Sequence, residues 1–187
     1  RGAIAARIVA EMERSGGLIS AADLAAYRVL ERAPVLGSYR GYQIAAMPPP
    51  SSGGIHLVEM LNVLEGWELA GLGHNSADYL HRLIETMRRA YADRSEHLGD
   101  PDFHAVPMAT LTSKDYAATL RAGIDLDRAT PSARVKPLRE TPPESTETTH
   151  FSVWDSAGNV VSNTYTINLA YGSGIAVLYF VLAAIAL

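Results

Sequence analysis

Glu147-Thr148-Thr149-His150-Phe151-Ser152-Val153 is the stretch on which the reading of this chain turns. Before it lies a polar run, roughly 125–147, that holds four prolines and many charges. Such a run reads as a linker. After it the texture becomes that of strands. Thr149–Asp155, a Ser156-Ala157-Gly158-Asn159 turn and Val160–Leu169 predict a hairpin. A threonine pair at the mouth of a strand is by itself ordinary β-propensity. Its chemistry depends on what precedes it. A threonine hydroxyl is a weak nucleophile until a base takes its proton, and its own α-amino group is such a base once free. That amine titrates at about 7.7–8.0, suited to proton transfer near neutrality. An internal threonine gains it only if the preceding peptide bond breaks, and a linker-to-strand junction suits that event.

Upstream the pattern is mostly helical. Ile4, Ile8, Val9 and Met12 recur at helical spacing over residues 3–14, and Gly16-Gly17 supplies the stop. Ser20 caps a short helix beginning Ala21-Ala22-Asp23-Leu24. Tyr27–Val35 and Tyr39–Met47 predict paired strands turning at Gly37-Ser38. Pro48-Pro49-Pro50-Ser51-Ser52-Gly53-Gly54 is a connector into a helix over about 54–66, apolar on most sides. Its polar residues His56, Glu59 and Asn62 predict a narrow wet stripe. Asn75-Ser76 opens a long helix to about Leu98, with Leu80, Leu83, Ile84, Met87 and Tyr91 on one face. Asp78, Arg82, Glu85, Arg89 and Glu96 lie mostly off that face, and Asp93, Arg94 and Glu96 read as surface or inter-helix ion pairs. A further helix runs from Ser113 to about Gly123. Helices followed by hairpins, without regular βαβ alternation, predict an α+β fold with helices covering a mostly antiparallel sheet.

Composition narrows the function. The 187 residues are 48% hydrophobic and 19% charged, with net charge −4, so nothing favours nucleic acid as a partner. The absence of cysteine removes disulfides, thiolate metal sites and a cysteine nucleophile. The six histidines show no metal-ligand spacing: His56 and Glu59 sit three apart on one helix without a second histidine in step. Asp100 and Asp102 flank a proline and read as a solvated turn. Gly172-Ser173-Gly174 is not a serine-hydrolase elbow. No metal and no cofactor is expected. From Ile175 to Leu187 the chain is uncharged and nearly all apolar, but thirteen residues fall short of the about 20 that a membrane helix needs.

Several motifs occur in one order: Gly16-Gly17-Leu18-Ile19, Tyr39-Arg40-Gly41-Tyr42, Pro48–Gly54, Tyr91-Ala92-Asp93-Arg94-Ser95, Leu98-Gly99-Asp100-Pro101-Asp102, Thr148–Val153 and Thr164-Tyr165-Thr166-Ile167-Asn168. The series resembles the γ-glutamyltranspeptidases over residues 1 to about 175. That resemblance implies an α/β-β/α sandwich of the N-terminal-nucleophile hydrolase type, incomplete in this chain. It implies a precursor that cleaves itself between Glu147 and Thr148. Residues 1–147 would be the C-terminal part of a large subunit. Residues 148–187 would begin a small one, ending in an atypical apolar tail at 176–187.

By the same resemblance Thr148 is the nucleophile, Thr166 the threonine whose hydroxyl assists it, and Asn168 the asparagine that binds the substrate amine. Thr166 and Asn168, two apart on a strand, share a face. The implied reaction moves γ-glutamyl groups from glutathione and related amides to water, amino acids or dipeptides. A β-lactam side-chain acylase of the same fold is the neighbouring alternative, and an inactive fragment a third. The resemblance further implies that the rest of the pocket lies on the remainder of both subunits, so that this chain alone would turn over little. By resemblance the location would be periplasmic or secreted.

Overall fold

Arg40 and Gly41 form the first turn of the sheet structure, with φ of 48° and 87° in the computed structural model. Two successive positive φ angles give the two-residue turn whose twist matches paired antiparallel strands. They join β1 (Val35–Tyr39) to β2 (Tyr42–Ala46) in a register running from Val35↔Ala46 to Tyr39↔Tyr42. The structure describes residues 2–135, 148–166, 176–177 and 180–181.

This hairpin corrects the sequence reading. Residues 27–34 have no regular structure, and Gly37-Ser38 lies within β1 rather than at a turn. Gly37 is there for packing: a Cβ built on it would lie 2.7 Å from Val58 Cγ1. The turn is held from outside, because the Arg40 backbone N–H donates to Glu65 Oε1 at 2.5 Å and its guanidinium to the Trp67 carbonyl at 2.9 Å.

The described chain forms two compact units, Glu31–Thr141 and a second made of Arg1–Leu30 with Pro142–Leu187. In the first, α3 (Gly53–Leu64) is the central element. Numbering follows chain order, with α1 and α2 in the other unit. Ile55, Val58, Val35 and Leu111 make one buried cluster, against which Ile44, Leu98, Val106 and Tyr116 pack. Val63, Ala117 and Ile124 make a second, flanked by Trp67 and Leu120. Around α3 stand α4 (Ala77–His97), the single turn α5 (Met108–Leu111) and α6 (Lys114–Ala122). Ser76 and Ser113 start α4 and α6 by accepting from the backbone N–H groups of Tyr79 and Tyr116.

Two expectations fail here. The polar stripe of α3 is not wet: His56, Glu59 and Asn62 are 6%, 0% and 3% exposed. On α4 the polar side faces inward, with Glu85, Arg89 and Asp93 buried, while Leu80, Ile84, Met87 and Tyr91 stay between 37% and 52% exposed. The reason is local pairing. Glu85 Oε2 accepts from Arg89 at 2.6 Å, and Arg89 also donates to the Gly123 carbonyl at 2.7 Å and Thr130 Oγ1 at 3.2 Å. Arg88 joins Glu85 Oε1 at 2.6 Å and donates to the Thr130 carbonyl at 2.7 Å. The start of the expected linker is thus tied to α4, as far as Ser132. Residues 136–147 of that linker lie outside the described residues.

In the second unit α1 (Ala3–Ser15) stops at Gly16 in the left-handed region, and α2 (Ala21–Ala26) opens with a reciprocal Ser20–Asp23 capping box. β3 (Thr148–Trp154) pairs antiparallel with β4 (Val160–Thr166). Asp155 closes their loop by accepting from the backbone N–H of Ala157 at 2.9 Å and of Asn159 at 2.8 Å. Two short strands, β5 (Ala176–Val177) and β6 (Phe180–Val181), pair in what had been read as the apolar tail.

Candidate active site

Thr148 is the first residue of β3, and its backbone partner across the ladder is Thr166, the last residue of β4. Directly opposed residues of an antiparallel pair share a face of the ribbon. The sequence reading, which placed the two on neighbouring strands of one hairpin, thus meets a register that joins them in a single rung. Glu147 and Asn168, the other two predicted site residues, lie outside the described residues.

Alternation assigns the rest of that face. The next rungs on it are His150↔Thr164 and Ser152↔Ser162. Their side chains are joined: His150 Nδ1 lies 2.6 Å from Thr164 Oγ1, and His150 Nε2 lies 3.2 Å from Ser162 Oγ. Ser152 Oγ donates to Ser162 Oγ at 3.3 Å. The other face carries Phe151, Val153, Val161 and Tyr165, apolar and exposed among the described residues. On the Thr148 side of the hairpin a row of hydroxyls and one imidazole thus runs toward the Trp154↔Val160 rung at the loop end. Sequence reasoning did not single out this row. The signal was present, since His150, Ser152, Ser162 and Thr164 alternate with apolar or amide side chains at period two.

A second group of chemical side chains lies inside the helical unit. Tyr116 of α6 donates its phenolic proton to Asp93 Oδ2 of α4 at 2.7 Å. Glu59 of α3 meets the same Asp93. Burial first, and then the Asp93 charge, push the Glu59 carboxyl up to about 9. A carboxyl raised this far keeps its proton at neutral pH, which removes the repulsion between two buried charges. Burial, and then the hydrogen bond to Asp93, raise the Tyr116 phenol as well. Asn62 donates to the Thr112 carbonyl at 2.8 Å. These buried polar residues join helices and lie in a different unit from the Thr148 rung. No group of three metal-ligating side chains occurs among the described residues.

The helices and hairpins belong to a class that the likeness to solved structures defines, the N-terminal-nucleophile hydrolase fold, present here in part. The gamma-glutamyltranspeptidase from Helicobacter pylori matches with a TM-score of 0.70 at 46% identity, over 76% of this chain and 42% of that one. The cephalosporin acylase from Bacillus halodurans matches with a TM-score of 0.80 at 30% identity, over 98% of this chain and 32% of that one. In sequence, the glutathione hydrolase proenzyme of Escherichia coli (strain K12) is 51% identical over 175 residues, 94% of this chain. The Gamma-glutamyltranspeptidase family profile matches residues 1–179, and the chain belongs to that family. It spans 30% of the length of the Escherichia coli relative.

Proposed function

We propose that this chain is the junction segment of a self-cleaving γ-glutamyl-transfer precursor, with Thr148 as the residue that cuts and then catalyses. The observation that carries this reading is the rung Thr148↔Thr166 at the open end of the β3–β4 hairpin. Thr148 Oγ attacks the carbonyl carbon of Glu147. The acyl group moves from nitrogen to oxygen, and water hydrolyses the resulting ester. Thr148 is left with a free α-amino group, and Glu147 with a carboxylate.

In the mature reaction the amine of Thr148 takes the hydroxyl proton as Oγ attacks the γ-amide carbonyl of glutathione or a related amide. The proton passes to the leaving amine, and a γ-glutamyl ester forms on Thr148. Water or the amine of an amino acid or dipeptide then attacks that ester. Thr166 supports the nucleophile by a hydrogen bond, and Asn168 receives the substrate amine. No cofactor takes part. Because the chain spans 30% of its Escherichia coli relative, the rest of both subunits completes the pocket, and this segment alone turns over little.

Likeness to a cephalosporin acylase over 98% of the chain supports a second reading, hydrolysis of a β-lactam side-chain amide by the same threonine. The 51% identity to a glutathione hydrolase proenzyme favours the glutamyl donor. Intact mass under denaturing conditions tests the common core of both readings. Two fragments meeting at Glu147/Thr148, with a single species in Thr148→Ala, are expected. A parent that stays whole within the full-length precursor, or a Thr148→Ala variant that is still cut, refutes it. Competition between a γ-glutamyl anilide and a cephalosporin side-chain amide then separates the two substrates.

A further inference from the structure

We propose that His150 is a positioning residue for the reaction at Thr148, acting through the hydroxyl of Thr164 in the rung next to the Thr148↔Thr166 rung. This rests on the reading of Thr148 as the nucleophile. Residues two apart on a strand rise by about 6.6 Å and share a face. Thr164 and Thr166 are such a pair on β4, as are Thr148 and His150 on β3. Among the described residues, the same-face neighbour of the reacting rung along the hairpin is therefore His150↔Thr164.

Two consequences follow from the 2.6 Å contact between His150 Nδ1 and Thr164 Oγ1. The first concerns the rotamer. A threonine hydroxyl rotates among few staggered positions, and the imidazole holds that of Thr164 in one of them. The second concerns the frame. His150 Nε2 reaches Ser162 Oγ at 3.2 Å, so one ring spans two residues of β4, Ser162 and Thr164. Cross-strand side-chain bonds of this kind hold register and local twist. The imidazole is a brace across the hairpin, one rung from the reacting pair. It need not touch substrate.

The two ring nitrogens can be tested apart. An asparagine amide nitrogen sits where Nδ1 does, and a glutamine amide nitrogen approximates Nε2. In the full-length precursor, kcat and KM are measured on a γ-glutamyl anilide, counting only molecules with a free Thr148 amino terminus by mass. His150→Ala should lower kcat by about tenfold, the loss of one hydrogen bond of about 1.4 kcal/mol, and leave KM within about twofold. His150→Asn should recover kcat to within about threefold of the parent, and His150→Gln should stay near the alanine variant. Thr164→Val should reproduce the loss, and the double variant His150→Ala/Thr164→Val should fall no further than either single one.

Parental kcat in His150→Ala, a change confined to KM, rescue by glutamine equal to that by asparagine, or additive losses would each overturn the proposal. Should His150→Ala fail to fold or cleave, Thr164→Val decides alone, and parental kcat there is again fatal. Thr148→Ala keeps the underlying reading separate. A cleaved, active Thr148→Ala removes the nucleophile assignment itself, whereas a dead Thr148→Ala beside an unaffected His150→Ala removes only the brace.

Discussion

Thr148 and Thr166 are backbone partners, at the first residue of one strand and the last of the next. Eighteen positions of sequence separate them, and one rung of the ladder joins them. Under the proposed self-cleavage Thr148 becomes a chain terminus, and β3 begins at that residue. Thr166→Val keeps the shape of the side chain and deletes the hydroxyl. It should slow turnover by about ten- to a hundredfold, the worth of one hydrogen bond to a reacting oxygen, about 1.4–2.7 kcal/mol. Steady-state kcat of the full-length precursor on a γ-glutamyl anilide reads this directly, and a change in KM alone would argue that Thr166 only binds.

The Glu59–Asp93 contact predicts an alkaline weakness. Glu59 carries a raised carboxyl in the folded state, about 9 against an ordinary 4.5. The folded chain holds a proton that the unfolded chain releases, so this group's contribution is fully present below about pH 4.5. It is lost progressively as pH rises toward 9. Urea unfolding at pH 5, 7 and 9 should show this decline, and Glu59→Gln should flatten it. A parent whose stability rises between pH 7 and 9 would contradict the raised Glu59 carboxyl.

Glu85 predicts the opposite limb. Burial opposes its ionisation, but hydrogen bonds from Thr130 and Arg89, from the Thr130 backbone N–H and from Arg88 outweigh that and hold the carboxyl at about 2. Here the stabilisation is present above about pH 4.5 and is lost as pH falls toward 2. Glu85→Ala leaves the Arg89 guanidinium buried without its carboxylate, a change that costs about 3–5 kcal/mol in comparable sites. Thermal unfolding at pH 7 should register this as a large drop in Tm. The segment through Ser132 should at the same time become open to proteolysis, because Arg88 and Arg89 hold it to α4.

Gly37→Ala tests the β1–α3 contact. The new methyl would lie 2.7 Å from Val58 Cγ1 and 2.8 Å from Val58 Cγ2. Overpacking of this kind costs about 1–3 kcal/mol. The companion change Val58→Ala in the same chain should recover part of the loss, which unfolding midpoints of the four variants will show.

The helices were legible where a pattern is local. Ser20, Ser76 and Ser113 announce helix starts because an N-cap hydroxyl serves a backbone N–H three residues on. Gly16 announces a stop through its own φ of 73°. The first hairpin was legible as a hairpin but not in its register. Gly37-Ser38 reads as the turn in sequence, whereas in the fold Arg40-Gly41 turns and Gly37 is held against Val58 by packing.

The sequence by itself determined the family motifs, the helix boundaries and the position of Thr148 at the mouth of a strand, because each depends on neighbours in the chain. Tertiary structure alone decided that His56, Glu59 and Asn62 are buried rather than wet, and that α4 turns its charged side inward. Periodicity reports which residues share a face; it carries no information on what that face meets. A carboxylate is driven inside only where a guanidinium, a phenol or a second carboxyl waits for it, and those partners come from Arg89, Tyr116 and Asp93 once the helices have packed. The hydroxyl row beside Thr148 has the same origin: alternation along β3 and β4 lies in the sequence, whereas the pairing of His150 with Thr164 belongs to the register of the folded hairpin.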